Sequence, residues 1–288
     1  MRTRAAVLIL SLAALVVGLV AIPAHGTGRT DDGRAARHRA GPPVNFVSAC
    51  AYSHSAGDDP IVHPGHEGGS HEHDFFANTT TDAHSTYESL LAGGTTCRRE
   101  GDTAAYWVPS LVEDGETVRP SHVLAYYLPA GKDHASIQPF PDGLKVVTDA
   151  ALPNTRWACV GDGFVGAGTP DVPTCPDGQH LVLRVHFPDC WDGREVDSPD
   201  HRSHMAYNRR GSCPVTHPVP VPRLRLGVHY RSSDGGPDVA LSSGGPETAH
   251  ADFFNAWDPD ELARLVEQCL NAGVHCGHRG HRGHRGSA

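Results

Sequence analysis

Apolar and polar positions alternate along the chain in short runs, and two of these runs are clean. In HLVLRVHF (180–187), Leu181, Leu183, Val185 and Phe187 alternate with His180, Arg184 and His186, and only Val182 breaks the pattern. In RLRLGVHY (223–230), Leu224, Leu226, Val228 and Tyr230 alternate with Arg223, Arg225 and His229. A period of two, built from β-branched and aromatic residues, predicts half-buried strands. SHVLAYYLP (121–129) and GLKVVTD (143–149) predict further strands with less regular alternation. The 32 glycines and 23 prolines imply frequent turns and large loops, and SSDGGPDVALSSGGPE (232–247) reads as a long loop. The period changes once. In WDPDELARLVEQCLNAG (257–273), Leu262, Leu265, Val266, Cys269 and Leu270 form one helical stripe. Asp258 is placed to cap that helix, Pro259 to start it, Glu261 to complete a capping box and Gly273 to end it. The fold class that fits is a β-rich single domain: a disulfide-braced, jelly-roll-like β-sandwich with large loops and one C-terminal helix.

The ends of the chain carry a different composition. MRTRAAVLILSLAALVVGLVAIPAHG begins with Arg2 and Arg4, runs apolar from Ala5 to Ile22, and ends on small residues. It reads as an export signal over 1–26, with an uncleaved anchor as the alternative. Residues 27–43 are polar, rich in Gly and Pro and without periodicity, and predict a disordered leader. The body spans 44–276. Residues 277–288 repeat His-Arg-Gly and predict a disordered tail able to hold metal loosely. An exported chain with eight cysteines predicts disulfides. Sequential neighbours would each close a modest loop, but spacing alone leaves the pairing open. No CxxC pair occurs, which weakens a cysteine–zinc reading. The formal charge is −9, and more negative still once Arg2 and Arg4 are removed. An acidic body argues against nucleic acid and, after signal cleavage, against membrane as partners. The expectation is a secreted monomer.

Three clusters carry candidate chemistry. The first is Ser70-His71-Glu72-His73-Asp74, with His63 and His66 upstream. On an extended segment His71 and His73 point the same way, which makes H-x-H an economical metal chelate. The bland alternative is a polar turn. Gly65 begins a G-x5-H-x-H spacing similar to that of cupins, but the acidic ligand expected next falls on Ala77 or Asn78. The second is FPDCWDGREVDSPDHRSHMAY (187–207), which brings Asp189, Asp192, Asp197, Asp200, His201 and His204 beside Trp191 and Tyr207. Its alternative is a set of Asx-rich turns. The third, HADFFNAWD (250–258), echoes HDFFAN (73–78). If the echo is real, each segment brings an imidazole and a carboxylate to one pocket, anchored by buried phenylalanines.

These segments, together with DDPIVHPG, TTC, DTAAYWVPSL, YY, FPDGLKVV and CPVTHPVPVPRL in order, resemble a secreted domain-of-unknown-function family numbered nineteen ninety-six, found in filamentous fungi and actinomycetes. The resemblance covers about residues 45–270 and implies no settled reaction. It does imply that His71, His73, His201, His204, His250 and Asp252 lie in signature segments. Ala251 and Ala256 stand where glycine is expected in the last motif.

The reading that follows is an extracellular enzyme acting on polysaccharide by hydrolysis or elimination. The catalytic candidates are His71, His73, His204, His250 and Asp252. The metal candidates are His71, His73, His201, His204 and His250, around one divalent ion. A metal-free His/Asp site remains open, so the cofactor is not fixed. Trp107, Trp191, Tyr207 and Trp257 are candidates for stacking sugar rings. The competing class is a non-catalytic carbohydrate- or metal-binding module, which would present its aromatics on an open face rather than converging His and Asp in a cleft. Neither a G-x-S-x-G elbow nor an H-E-x-x-H helix occurs, which lowers the serine-esterase and zincin-protease readings.

Overall fold

The two clean runs become neighbouring antiparallel strands. Leu181, Leu183, Val185, Leu224, Leu226 and Val228 are fully buried on one face. Arg184, His186, Arg223 and Arg225 lie half-buried on the other. The computed structural model describes residues 43–131, 133–148, 154–161 and 164–277. The expected export signal over 1–26, most of the expected leader 27–43 and nearly all of the expected tail 277–288 lie outside the described residues.

In chain order the strands begin with β1 (Asn45–Ala56), β2 (His73–Ala77), β3 (Ala105–Pro109), β4 (Leu111–Glu113), β5 (Glu116–Val118) and β6 (His122–Leu128). They continue with β7 (Lys145–Val147), β8 (Thr155–Gly161), β9 (Phe164–Val165), β10 (His180–His186), β11 (Cys190–Trp191) and β12 (Met205–Ala206). The last are β13 (Val219–Pro220), β14 (Arg223–Tyr230), β15 (Val239–Leu241), β16 (Asp252–Phe254) and β17 (His275–Gly277). One sheet runs β7-β16-β3-β2-β1-β6-β14-β10-β8-β9, and β17 pairs parallel with the start of β1. Two small sheets, β12-β11-β13 and β15-β4-β5, complete it.

The sheet folds over on β1. The first half of β1 pairs with β6 and its second half with β2, with a register shift between Tyr52 and His54. The two halves of the sheet then close over a common core. Across it, the Tyr106 hydroxyl of β3 lies 2.6 Å from that of Tyr127 in β6. Phe253 of β16 meets Phe187, just past β10, at 6.3 Å between ring centroids. The β-rich, sandwich-like expectation therefore holds, built from one continuous sheet.

Four disulfides pair sequential neighbours: Cys50–Cys97, Cys159–Cys175, Cys190–Cys213 and Cys269–Cys276. No helix among the described residues is long and apolar enough to cross a membrane.

Two local expectations change. The 232–247 segment is not all loop, because Val239 and Leu241 are buried around the half-buried Ala240, and β15 pairs with β4 there. The C-terminal helix α2 (Pro259–Leu265) continues as a π-helical turn over Val266–Asn271, and its apolar stripe joins the core as expected. Asp258 caps it by accepting from the Glu261 N–H at 2.9 Å. The reciprocal half of the capping box is absent. The Asp258 N–H donates instead to Gly101 O at 2.7 Å, and the Glu261 carboxylate is held by Arg264 at 2.7 Å. Asp258→Ala should cost about 1 kcal/mol in urea denaturation; an unchanged midpoint would show that the cap carries no weight.

Candidate metal centre

Strand β3 is paired on both sides. Trp107 stands opposite Phe75 of β2 and opposite Asp252 of β16, so these three share one face of the sheet. Strand periodicity then sets the rest. His73, two residues before Phe75, lies on that face, and His71 sits on the bend two residues earlier. His250 lies two residues before Asp252.

The rings of His71 and His73 are 4.2 Å apart between centroids, those of His71 and His250 5.3 Å, and those of His73 and His250 6.1 Å. One nitrogen from each lies within 4.8 Å of the others, and Asp59, His73 and Asp252 form an overlapping group with the same spacing. Phe75, Trp107, Ile61 and Val147 belong to the apolar cluster on this side of the sheet. A pocket of about 260 Å³ opens at the group, with His63, Thr148 and Arg202 also in its wall.

The polar atoms of the group lack partners in a consistent way. His73 Nδ1 donates to Asp58 O at 3.0 Å, and His250 Nδ1 donates to Thr248 O at 2.8 Å. Each ring thus turns its Nε2 lone pair away from the backbone carbonyl, which is how metal-ligating histidines are commonly oriented. Nε2 of His71 and of His73 is buried without a hydrogen-bond partner, as are both carboxylate oxygens of Asp252. His250 Nε2 lies 3.8 Å from Asp252 Oδ2, too long for a hydrogen bond. Asp59 is anchored by Ile61 N–H and Val62 N–H, both donating to Oδ1 at 2.9 Å.

The electrostatics follow from burial. Burial, then His250 and His63, pulls His71 down to about 4. Burial and His71 pull His73 down to about 3. Burial also lowers His250. Burial, then the Asp59 charge, pushes Asp252 well above the usual carboxylate range, and burial raises Asp59. At neutral pH the three imidazoles are therefore neutral, the form that binds metal.

Other candidates are placed elsewhere. Both nitrogens of His204 are occupied, Nδ1 by Ser198 Oγ at 2.8 Å and Nε2 by Lys145 O at 2.7 Å. His201 pairs with Asp197 at 2.8 Å. Neither belongs to the cluster: His201 is spent on Asp197 within its own turn, and His204 on Ser198 and the backbone of Lys145. The 187–207 segment contributes Arg202 to the pocket instead. Trp107 and Trp257 are fully buried, and Trp257 Nε1 donates to Tyr127 OH at 2.8 Å, so neither offers a face to a sugar. Trp191 is half-buried with its indole N–H on Glu195 O at 2.6 Å. Tyr207 lines a smaller pocket that shares Arg202 and Val147 with the first.

The echo between the two segments is half realised. His73 and His250 do converge, but Asp74 directly follows His73 and so faces the opposite side, where Ser55 and Ser110 donate to it at 2.6 and 3.0 Å. Asp252 is spaced by two from His250 and faces the cluster. The second carboxylate comes from Asp59, which sequence reasoning missed because Asp-Pro reads as a turn.

The profile of a family described as Domain of unknown function (DUF1996) matches residues 59–257. The chain belongs to this family. The matched span opens on Asp59 and closes on Trp257, so all five residues of the cluster lie inside it. No curated protein and no solved structure matches the chain.

Histidines held below their ordinary value of 6.5 refuse a proton that the unfolded chain accepts, so they withdraw stability as pH falls from 6.5 toward their folded values. In nitrogen-detected NMR at pH 5, His73 should still be a neutral Nδ1–H tautomer. An imidazolium signal from His73 at that pH would contradict the arrangement.

Proposed function

We propose that the protein is a secreted enzyme that cleaves polysaccharide by hydrolysis or elimination, with one divalent metal ion held by His71, His73, His250 and Asp252. The observation that carries this reading is the set of buried, partnerless atoms: two imidazole nitrogens and both oxygens of Asp252. Leaving such groups unpaired costs about 1–3 kcal/mol each, more if charged. A cation seated beside His73, where the two groups of ligand atoms overlap, would engage these idle lone pairs. Imidazole and carboxylate together suit a borderline ion such as Zn²⁺. Such an ion supplies Lewis acidity and lowers the pKa of a coordinated water. Asp59, fixed by two backbone N–H groups, is the group best placed to take a proton there, and Arg202 offers positive charge in the pocket wall. Four disulfides fit an oxidising, extracellular setting.

The alternative of a non-catalytic binding module is less well supported. It needs aromatics on an open face, whereas Trp107 and Trp257 are in the core. The convergence of His and Asp at a pocket favours catalysis.

The test is product formation from a panel of neutral and acidic polysaccharides, followed both by reducing ends and by ultraviolet absorbance of unsaturated sugars. Activity should vanish on chelation and return with one added metal. Asp252→Asn should lower kcat by more than the ~10–100-fold typical of outer-shell changes, with the fold intact. Cleavage that is indifferent to chelator and to Asp252→Asn would overturn the metal-dependent reading.

A further inference from the structure

The outward face of β6-β14-β10-β8 is unusually basic for an acidic protein. Register places Arg184 of β10 directly opposite Arg156 of β8 on one side and opposite Gly227 of β14 on the other. Arg225, two residues from Gly227, stands opposite His186 and Tyr126. These side chains share one face, the reverse of the one that carries Leu183, Leu226 and Ala125. Among the described residues, no carboxylate lies within ion-pair distance of Arg156, Arg184 or Arg225. Arg223, at the end of the face, is the exception and pairs with Asp189 at 2.9 Å.

Like charges directly opposite in a sheet are destabilising, yet Arg184 and Arg156 are so placed. Burial first, and then Arg225, lowers the pKa of Arg184. Its Nη1 donates to Gly166 O at 2.8 Å. Arg225 packs over the Tyr126 ring at 4.4 Å from the centroid, which orients its guanidinium without neutralising it. At the centre of the face Gly227 is buried but carries no side chain, and a Cβ there would meet nothing closer than 3.9 Å, with Tyr126, Leu124 and His229 around it. The result is a row of half-buried planar cationic forks with a half-buried apolar strip, Leu124 and Leu128, along one side.

We propose that this face binds a carboxylate-bearing polysaccharide, a polyuronate chain, with Arg156, Arg184 and Arg225 on its carboxylates and the Leu124 and Leu128 strip under its sugar rings. The chemistry matches on both counts. A guanidinium fork fits a carboxylate bidentately, and the apolar strip fits the C–H face of a pyranose. A long nucleic acid is the poorer occupant, because the overall charge of −9 would repel a denser polyanion beyond the patch. The site uses no residue of the His/Asp centre and does not require that centre to be catalytic.

The experiment is titration of the full secreted protein with polygalacturonate, with dextran as the neutral probe and a single-stranded oligodeoxynucleotide as the competing polyanion. Polygalacturonate should bind and weaken steeply with salt, while dextran should not bind. Arg184→Gln/Arg225→Gln and, separately, Gly227→Glu should each weaken binding at least about tenfold. Gly227→Glu is the more stringent variant, since its Cβ fits and its melting temperature reports an intact fold. Arg119→Gln, an exposed basic residue off this face, should bind polygalacturonate as the wild type does. The proposal is overturned by equal binding of dextran, by tighter binding of the oligonucleotide, by no binding of polygalacturonate, or by face variants that melt normally and bind undiminished. An equal loss of binding in Arg119→Gln would show attraction by general charge and equally overturn the face.

Discussion

Strand β3 carries β2 on one edge and β16 on the other, and this double pairing makes residues 71–73 and 250–252 parts of one structure. Because β2 and β16 both run antiparallel to β3, they run parallel to each other, and their side chains alternate in step. A slip of one residue in either ladder would turn His73 or Asp252 to the opposite face. The register is held from behind by Phe76, Tyr106 and Phe253 in the main core. It is held from in front by Thr148, whose hydroxyl donates to Ala251 O at 3.0 Å and accepts from Ala251 N–H at 2.9 Å. That clamp fixes the backbone between His250 and Asp252.

The cluster is costly as it stands. Two buried carboxyls and three imidazoles sit on an apolar floor, and burial acts on each of their pKa values in the direction that removes charge. Neutral histidines can be accommodated, since two of them spend Nδ1–H on backbone carbonyls. Asp252 cannot be accommodated in the same way: among the described residues neither of its oxygens has a hydrogen-bond partner, donor or acceptor. A bound cation reverses this balance by favouring the ionised carboxylate and using the idle lone pairs. On the proposed reading, folding energy stored as unpaired polar groups would be recovered on binding, which would couple metal affinity to stability.

Much of the scaffold was legible because it depends on local periodicity. RLRLGVHY and HLVLRVHF appear as β14 and as β10 plus its next residue, and the apolar stripe of 257–273 packs into the core. The H-x-H pair and the weak echo of HDFF in HADFF pointed to two segments that do meet. What stayed hidden depends on partners distant in sequence. Nothing local marks Trp107 and Trp257 as core rather than surface. His204 looks like a ligand until Lys145 O and Ser198 claim both its nitrogens. Asp59 carries no local mark of a site, since its own surroundings show only a carboxylate capping Ile61 and Val62, and the fold alone brings it beside His73 and Asp252.

The most direct measurement is metal stoichiometry by elemental mass spectrometry, on mature protein ending at Cys276 so that the His-Arg-Gly repeats contribute nothing. The account predicts about one equivalent of a divalent ion, retained through dialysis and lost in His71→Ala/His73→Ala. A wild-type protein that stays metal-free after reloading, or a double variant that keeps its ion, would contradict it.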